Sequence, residues 1–240
     1  MAGRGGQRDG QASARLAPLT ETKERGPNEG LQMSVTAGQQ GRTKPTRAGP
    51  ATASAALEWL WQQLHDIPHP HMLDCGPICQ ATVDVLLRRG AKLYVTDLMT
   101  PAREGNSQFW DRRGKIPVFR LGDFLAQLPE IPEESLSAIF CWHLLDLLPR
   151  DVLPGLVDRF FSCLQPGGVL FCLLREPYLA AGAEMMWWLE NLTTLATGRE
   201  GNKPFPYPAL SNREMERLAR SRSIKTFLTR SGRREVLAIK

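Results

Sequence analysis

The chain reads as an α/β protein: a doubly wound, mostly parallel sheet with helices on both faces and an antiparallel hairpin at its end. Three observations predict this. From residue 71 onward, short apolar runs alternate with helical patterns, the arrangement that parallel strands and their covering helices leave in a sequence. The connections between the runs are long enough for crossovers. The last two runs, 224–229 and 234–239, are separated by Ser231-Gly232, a hairpin signal.

The ordered part is expected to begin near Ser54. Leu57, Leu60, Trp61 and Leu64 fall on one face of a helix, which Pro68 and Pro70 end. His71-Met72-Leu73-Asp74 reads as the first strand, stopping at Cys75-Gly76-Pro77. Residues 78–89 read as a helix with Val83, Leu86 and Leu87 inward, closed by Gly90 in a left-handed cap. Residues 92–97 form the second strand, and 117–121 fit a short third one before a helix over 124–128. The fourth strand spans Leu136 to Trp142. A helix carrying Leu153, Leu156, Val157, Phe160 and Leu164 follows, with Asp151 placed to cap it. Gln165-Pro166-Gly167-Gly168 turns into a fifth strand over 169–174, and Ser211-Asn212-Arg213-Glu214 is a capping box opening a last helix.

Composition limits what the domain does. Residues 1–50 hold nine glycines, four prolines and no aromatic residue, so they are expected to form a disordered tail, leaving 51–240 as the α/β domain. The glycine density also spoils the amphipathic helix of a transit peptide, and Met33 offers an alternative start. Of the net charge of +5, the tail contributes +4, from eight basic and four acidic residues. The domain therefore offers no basic face for nucleic acid. No apolar run is long enough to span a membrane. Five cysteines, an odd number and partly in apolar runs, suit reduced thiols in the cytoplasm. His69, His71, Cys75 and Cys79 match no usual zinc spacing, and no metal is expected.

The order of motifs resembles the class I S-adenosylmethionine-dependent methyltransferases over roughly residues 71–240. Leu73-Asp74-Cys75-Gly76 is similar to the start of that family's glycine-rich first motif. Tyr94-Val95-Thr96-Asp97-Leu98 resembles its second strand ending in an acid, and Leu121-Gly122-Asp123-Phe124 its acid-plus-apolar pair. Leu164-Gln165-Pro166-Gly167-Gly168 resembles its turn before the fifth strand. The resemblance implies a Rossmann-like methyltransferase fold with S-adenosylmethionine as cofactor. It implies cofactor contacts at Asp74, Gly76, Asp97, Leu98, Asp123, Phe124 and Cys141. Of the family's two or three glycines only Gly76 remains; Pro77 removes a donor and Ile78 adds a branched side chain.

Elementary chemistry supports several of these positions. In an open parallel sheet the ligand lies beyond the carboxyl ends of the strands. Asp97 follows Asp74 by 23 residues, close to the offset of about 20 for a ribose-binding acid; otherwise it is a strand-end turn residue. Asp123 is placed to accept from an adenine amino group, with Phe124 donating its N–H, or else it caps the next helix. His143, ending the Cys141-Trp142-His143 run, is the best placed of four histidines for a general base; the alternative is packing.

Residues 175–210 form an insertion. Met185, Met186, Trp187, Trp188, Leu189 and Leu192 read as an apolar helix surface, a packing cover or substrate lid. The function expected is methyl transfer to a small-molecule acceptor. The alternatives are an inactive methyltransferase-like binding module, favoured by the eroded glycines, and a nicotinamide-dependent oxidoreductase, disfavoured by the missing G-x-G-x-x-G nest.

Overall fold

A computed structural model describes residues 34–35, 51–102, 107–176, 183–220, 222–229 and 233–240. Its elements in chain order are β1 Ser34–Val35, β2 Thr52–Ala53, α1 Ala55–Gln63, β3 His71–Asp74, α2 Gln80–Arg88 and β4 Lys92–Val95. Then come α3 Met99–Ala102, β5 Trp110–Asp111, β6 Val118–Phe119, α4 Leu121–Leu125, β7 Leu136–Trp142, a 3-10 turn over Leu144–Asp146 and α5 Leu153–Cys163. The rest are β8 Leu164–Arg175, β9 Ala183–Asn191, β10 Thr194–Pro204, α6 Asn212–Ala219, β11 Ser223–Leu228 and β12 Arg233–Ile239.

The central sheet runs β1-β4-β3-β7-β8-β12-β11. Strands β1, β4, β3, β7 and β8 are parallel, and β12 is antiparallel to both β8 and β11. This is the doubly wound sheet with a reversed final pair that the sequence predicts. Chain order reverses between β3 and β7, which makes their carboxyl ends the crevice of the fold. All seven residues of β7 are buried, as a strand covered on both faces must be. Alternation along β12 shows the two layers. Ser54 Oγ, at the start of α1, donates to Glu235 at 2.6 Å, whereas Arg234 reaches Leu210 and Asn212 beside α6.

Local chemistry sets the helix ends. Ser54 Oγ accepts from Leu57 N at 3.0 Å and starts α1. Gly90 takes φ +82° after α2, donating its N–H to Leu87 O while Ala91 donates to Leu86 O; only glycine adopts that cap without strain. The capping box at Ser211 and Glu214 is present.

Four expectations are corrected. The insertion is not a helix: β9 and β10 form a hairpin, and β2 extends it to three strands. The segment 117–121 does not join the main sheet. Its Val118–Phe119 pairs with Trp110–Asp111, and Ser34–Val35, from the stretch expected to be tail, lies beside β4 instead. Helix α4 begins at Leu121, so Asp123 and Phe124 lie inside it. Asp151 does not cap α5; Val152 stands at the N-cap, without a side-chain bond. The hairpin signal at Ser231-Gly232 lies outside the described residues.

Candidate functional site

Three backbone bonds align the carboxyl ends of the central strands. Cys75 N donates to Phe140 O at 3.0 Å, Thr96 N to Asp74 O at 2.9 Å and Leu98 N to Cys75 O at 3.1 Å. Asp74, Asp97 and the Trp142-His143 pair therefore sit at neighbouring strand ends.

Asp74 is the most deeply placed acid, 1% exposed. Its Oδ1 accepts from Gly76 N at 2.9 Å and from Trp142 Nε1 at 2.6 Å. Burial raises its pKa to about 6; the two hydrogen bonds oppose the rise and the charge of Asp97 adds to it. The indole is held by more than this bond. Trp142 has φ +49°, a left-handed conformation costly for a side chain of its size, and its ring stacks on Phe140 at 5.8 Å. A Cβ placed on Gly76 would lie 2.7 Å from the indole Cδ1 and Nε1. Glycine is required here because Trp142 roofs it.

Asp97 is half-buried just beyond β4. Its Oδ1 accepts from Thr100 N at 2.9 Å and its Oδ2 from Thr100 Oγ at 2.7 Å. It thus anchors the start of α3, while each oxygen keeps a further lone pair. Next to it, Thr96 Oγ1 is buried without a hydrogen-bond partner among the described residues.

Other expected positions differ. Asp123 is 57% exposed in its side chain and pairs with Arg120 at 2.9 Å. Phe124 is fully buried and its N–H donates to Arg120 O at 3.1 Å. That amide is committed to the helix and not available to an adenine ring. Leu98 is fully buried, its N–H already bonded to Cys75 O. Cys141 is sealed in the core, where burial pushes its thiol pKa up. It does not line the mouth of the strands.

His143 is 5% exposed. Its Nδ1 lies 3.4 Å from Asp146 Oδ2, which accepts Arg175 N at 3.0 Å. Phe205 and Trp187, from the insertion, stand with ring centroids 5.5 and 6.3 Å from the imidazole. Sequence reasoning missed Asp146, although its place three residues after His143 on a helical turn was readable. It also missed Trp142, whose partner Gly76 is 66 residues away.

These residues fit a nucleoside-bearing cofactor unevenly but sufficiently. At the β4 end, the half-buried carboxylate of Asp97 suits ribose. At the β3 end, the Trp142 indole has to turn from Gly76 before a ligand reaches that backbone. A cleft of about 380 Å³ between α5 and α6, lined by Arg150, Leu153, Glu214 and Arg217 among others, contains none of the expected cofactor residues. Among the described residues, no group of three or more His, Cys, Asp or Glu is arranged to hold a metal ion. No helix among them is long and apolar enough to cross a membrane.

The strand order with its reversed final pair defines a Rossmann-like, doubly wound fold, with acids at the ends of β3 and β4. Solved structures similar to the chain are named as methyltransferases. One is the 1,6-didemethyltoxoflavin-N1-methyltransferase of Burkholderia thailandensis, with bound 1,6-didemethyltoxoflavin and S-adenosylhomocysteine: 13% identity over 78% of this chain and 79% of that one, TM-score 0.40. A predicted O-methyltransferase of Agrobacterium tumefaciens is 13% identical over 77% and 80%, TM-score 0.38. A SAM-dependent methyltransferase of Archaeoglobus fulgidus is 15% identical over 77% and 94%, TM-score 0.39. At TM-scores this low the likenesses carry no weight of their own; the class of fold rests on the strand order. No family model and no curated protein sequence matches the chain.

Proposed function

We propose that this chain binds S-adenosylmethionine across the carboxyl ends of β3, β4 and β7 and transfers its methyl group to a small-molecule acceptor. The observation that carries the proposal is the pair Asp74 and Asp97 at adjacent strand ends beside the β3–β7 reversal. The cofactor would supply an electrophilic methyl on a sulfonium. Asp97 accepts from the ribose hydroxyls with the lone pairs that Thr100 leaves free. Asp74 fixes the Gly76 turn through its N–H. His143 takes the acceptor's proton on Nε2, the nitrogen turned from Asp146. Asp123, exposed and paired with Arg120, contributes at most a peripheral contact to adenine. All five cysteines are free, which supports a reducing, cytoplasmic setting.

One observation favours a second reading, a binding module without catalysis: the indole of Trp142 lies where the cofactor backbone contact would form. Calorimetric titration with S-adenosylmethionine, S-adenosylhomocysteine and NAD separates the cases. The proposal expects both adenosyl ligands to bind and NAD not to. Binding of none of them supports the second reading.

A further inference from the structure

The cleft between α5 and α6 has a volume of about 380 Å³, within the range of roughly 300–1,000 Å³ usual for ligand pockets. Its lining divides by polarity. Leu153, Leu210 and Leu218 supply an aliphatic floor, and the first two are fully buried. Around it stand Arg150, Arg217 and Arg220, with Glu214 as the one acid. That acid is already committed. Its Oε2 accepts from Ser211 N and Oγ, both at 2.7 Å, and its Oε1 lies 3.3 Å from Arg150 Nε. Arg220 pairs with Asp158 at 2.7 Å, yet its side chain stays 60% exposed. Arg217 is exposed; its Nε donates to Arg213 O at 3.4 Å, and it makes no ion pair among the described residues.

Two further features carry the same sign. No side chain caps α5 and its first turn holds no acid. The positive end of its dipole is therefore left uncompensated at Leu153 and Pro154, which line the cleft. Residues 211–225 carry five basic side chains against two acidic ones, or +3, whereas 51–240 as a whole nets +1. Positive charge is thus concentrated on α6 and the start of β11, in a domain that is slightly acidic elsewhere.

An aliphatic floor under a cationic rim calls for an apolar anchor set among acidic groups. We propose that the α5–α6 cleft docks an acidic segment of a partner protein, with one leucine-like side chain on the floor and carboxylates at Arg217 and Arg220. The planar guanidinium fork suits that pairing, since it can hold a carboxylate through two bonds. This chain's own residues 1–50 do not suit the cleft, because they are themselves basic by +4. Nucleic acid suits it poorly: the lining has no aromatic ring on which a base could stack. The proposal is independent of the methyl-transfer reading.

The test is fluorescence anisotropy of the full chain at low salt with a fluorescein-labelled peptide of sequence Asp-Glu-Asp-Leu-Glu-Asp-Glu. The expected result is binding that falls by about tenfold when serine replaces the leucine and falls again as salt is added. Arg217→Glu, at an exposed position, should lower the affinity by about tenfold or more. Arg112→Glu makes the same charge change at an exposed position outside the cleft and should leave the affinity within about twofold. Circular dichroism is the folding control for both. No binding of the peptide to folded protein, equal affinity for the leucine and serine forms, or equal losses in the two variants would overturn the proposal. So would tighter binding of a thymidine oligonucleotide of the same charge, which would make this a nucleic-acid site.

Discussion

Asp97 has two tasks that substitution can separate. Its carboxylate holds Thr100 through both oxygens and stands where ribose hydroxyls are expected. Hydrogen bonds to a charged group contribute about 1.5–3 kcal/mol each, and water replaces part of that in a mutant. Asp97→Ala should therefore lower S-adenosylhomocysteine affinity by about ten- to hundredfold, measured by titration. It should also cost about 1 kcal/mol of stability as a lost cap. Asp97→Asn retains an oxygen for Thr100 N, so it should keep most of the stability and still lose affinity. Equal ligand affinity in all three proteins would place the ligand elsewhere.

Asp74 makes a prediction about pH. Its pKa rises from 3.8 to about 6, chiefly through burial, so the folded state binds this proton more tightly than the unfolded chain. The resulting stabilisation is fully present below about pH 4 and is lost as the pH rises through about 6. At about 1.4 kcal/mol per unit, the loss is roughly 3 kcal/mol. Asp74→Asn keeps an acceptor for Gly76 and Trp142 and carries no charge. Urea midpoints from pH 4 to 8 should fall more for the wild type than for Asp74→Asn, and the variant should be the more stable at pH 8. Parallel profiles would show that Asp74 is solvated.

At the scale of elements, the β9–β10 hairpin is the main departure from the sequence expectation. Met186 and Trp188 form a buried cluster with Ala196 against Cys79 and Ala81, while Trp187 turns to His143 and Arg233. Both faces of β9 are covered, so the period-two alternation that marks a half-buried strand is absent, and a continuous apolar run fits helix equally well. The turn was legible in hindsight: Asn191 Oδ1 accepts from Thr193 N at 2.9 Å, a side-chain turn typical of asparagine. Thr82 on α2 fixes the hairpin, its Oγ accepting from Leu189 N at 3.1 Å. Thr82→Val leaves that buried amide unpaired and should destabilise the protein by about 1–3 kcal/mol, whereas Thr82→Ser should not. Denaturant unfolding checks both; an unchanged Thr82→Val midpoint would mean that water reaches the amide.

For the whole molecule, the edge of the sheet gives a truncation test. Residues 1–31 lack aromatic residues and have nothing apolar enough to pack, so removing them should leave the thermal midpoint unchanged. Removing residues 1–50 also takes away β1 and bares the β4 edge. If that pairing contributes about 1 kcal/mol, the midpoint falls by about 2–4 °C. Equal midpoints for both truncations would show that β1 adds nothing.

The sequence by itself determined β3, β4, β7, the 169–174 part of β8 and the final pair, because each is a local apolar run; the turn expected at 165–168 lies inside β8. It also determined the glycine cap at Gly90 and the capping box at Ser211, which act over three or four residues. It placed Asp74, Asp97 and His143 at strand ends, since each directly follows or closes such a run. Only the tertiary structure decided the rest. The edge beside β4 goes to Ser34–Val35 and not to Val118–Phe119, a choice made by backbone pairing that no side-chain pattern encodes. The roof of Trp142 over Gly76, and the meetings of Asp146 with Arg175 and of Trp187 with His143 and Arg233, join residues far apart in the chain. Such contacts follow from how the strands are ordered in space, which no local stretch of sequence carries.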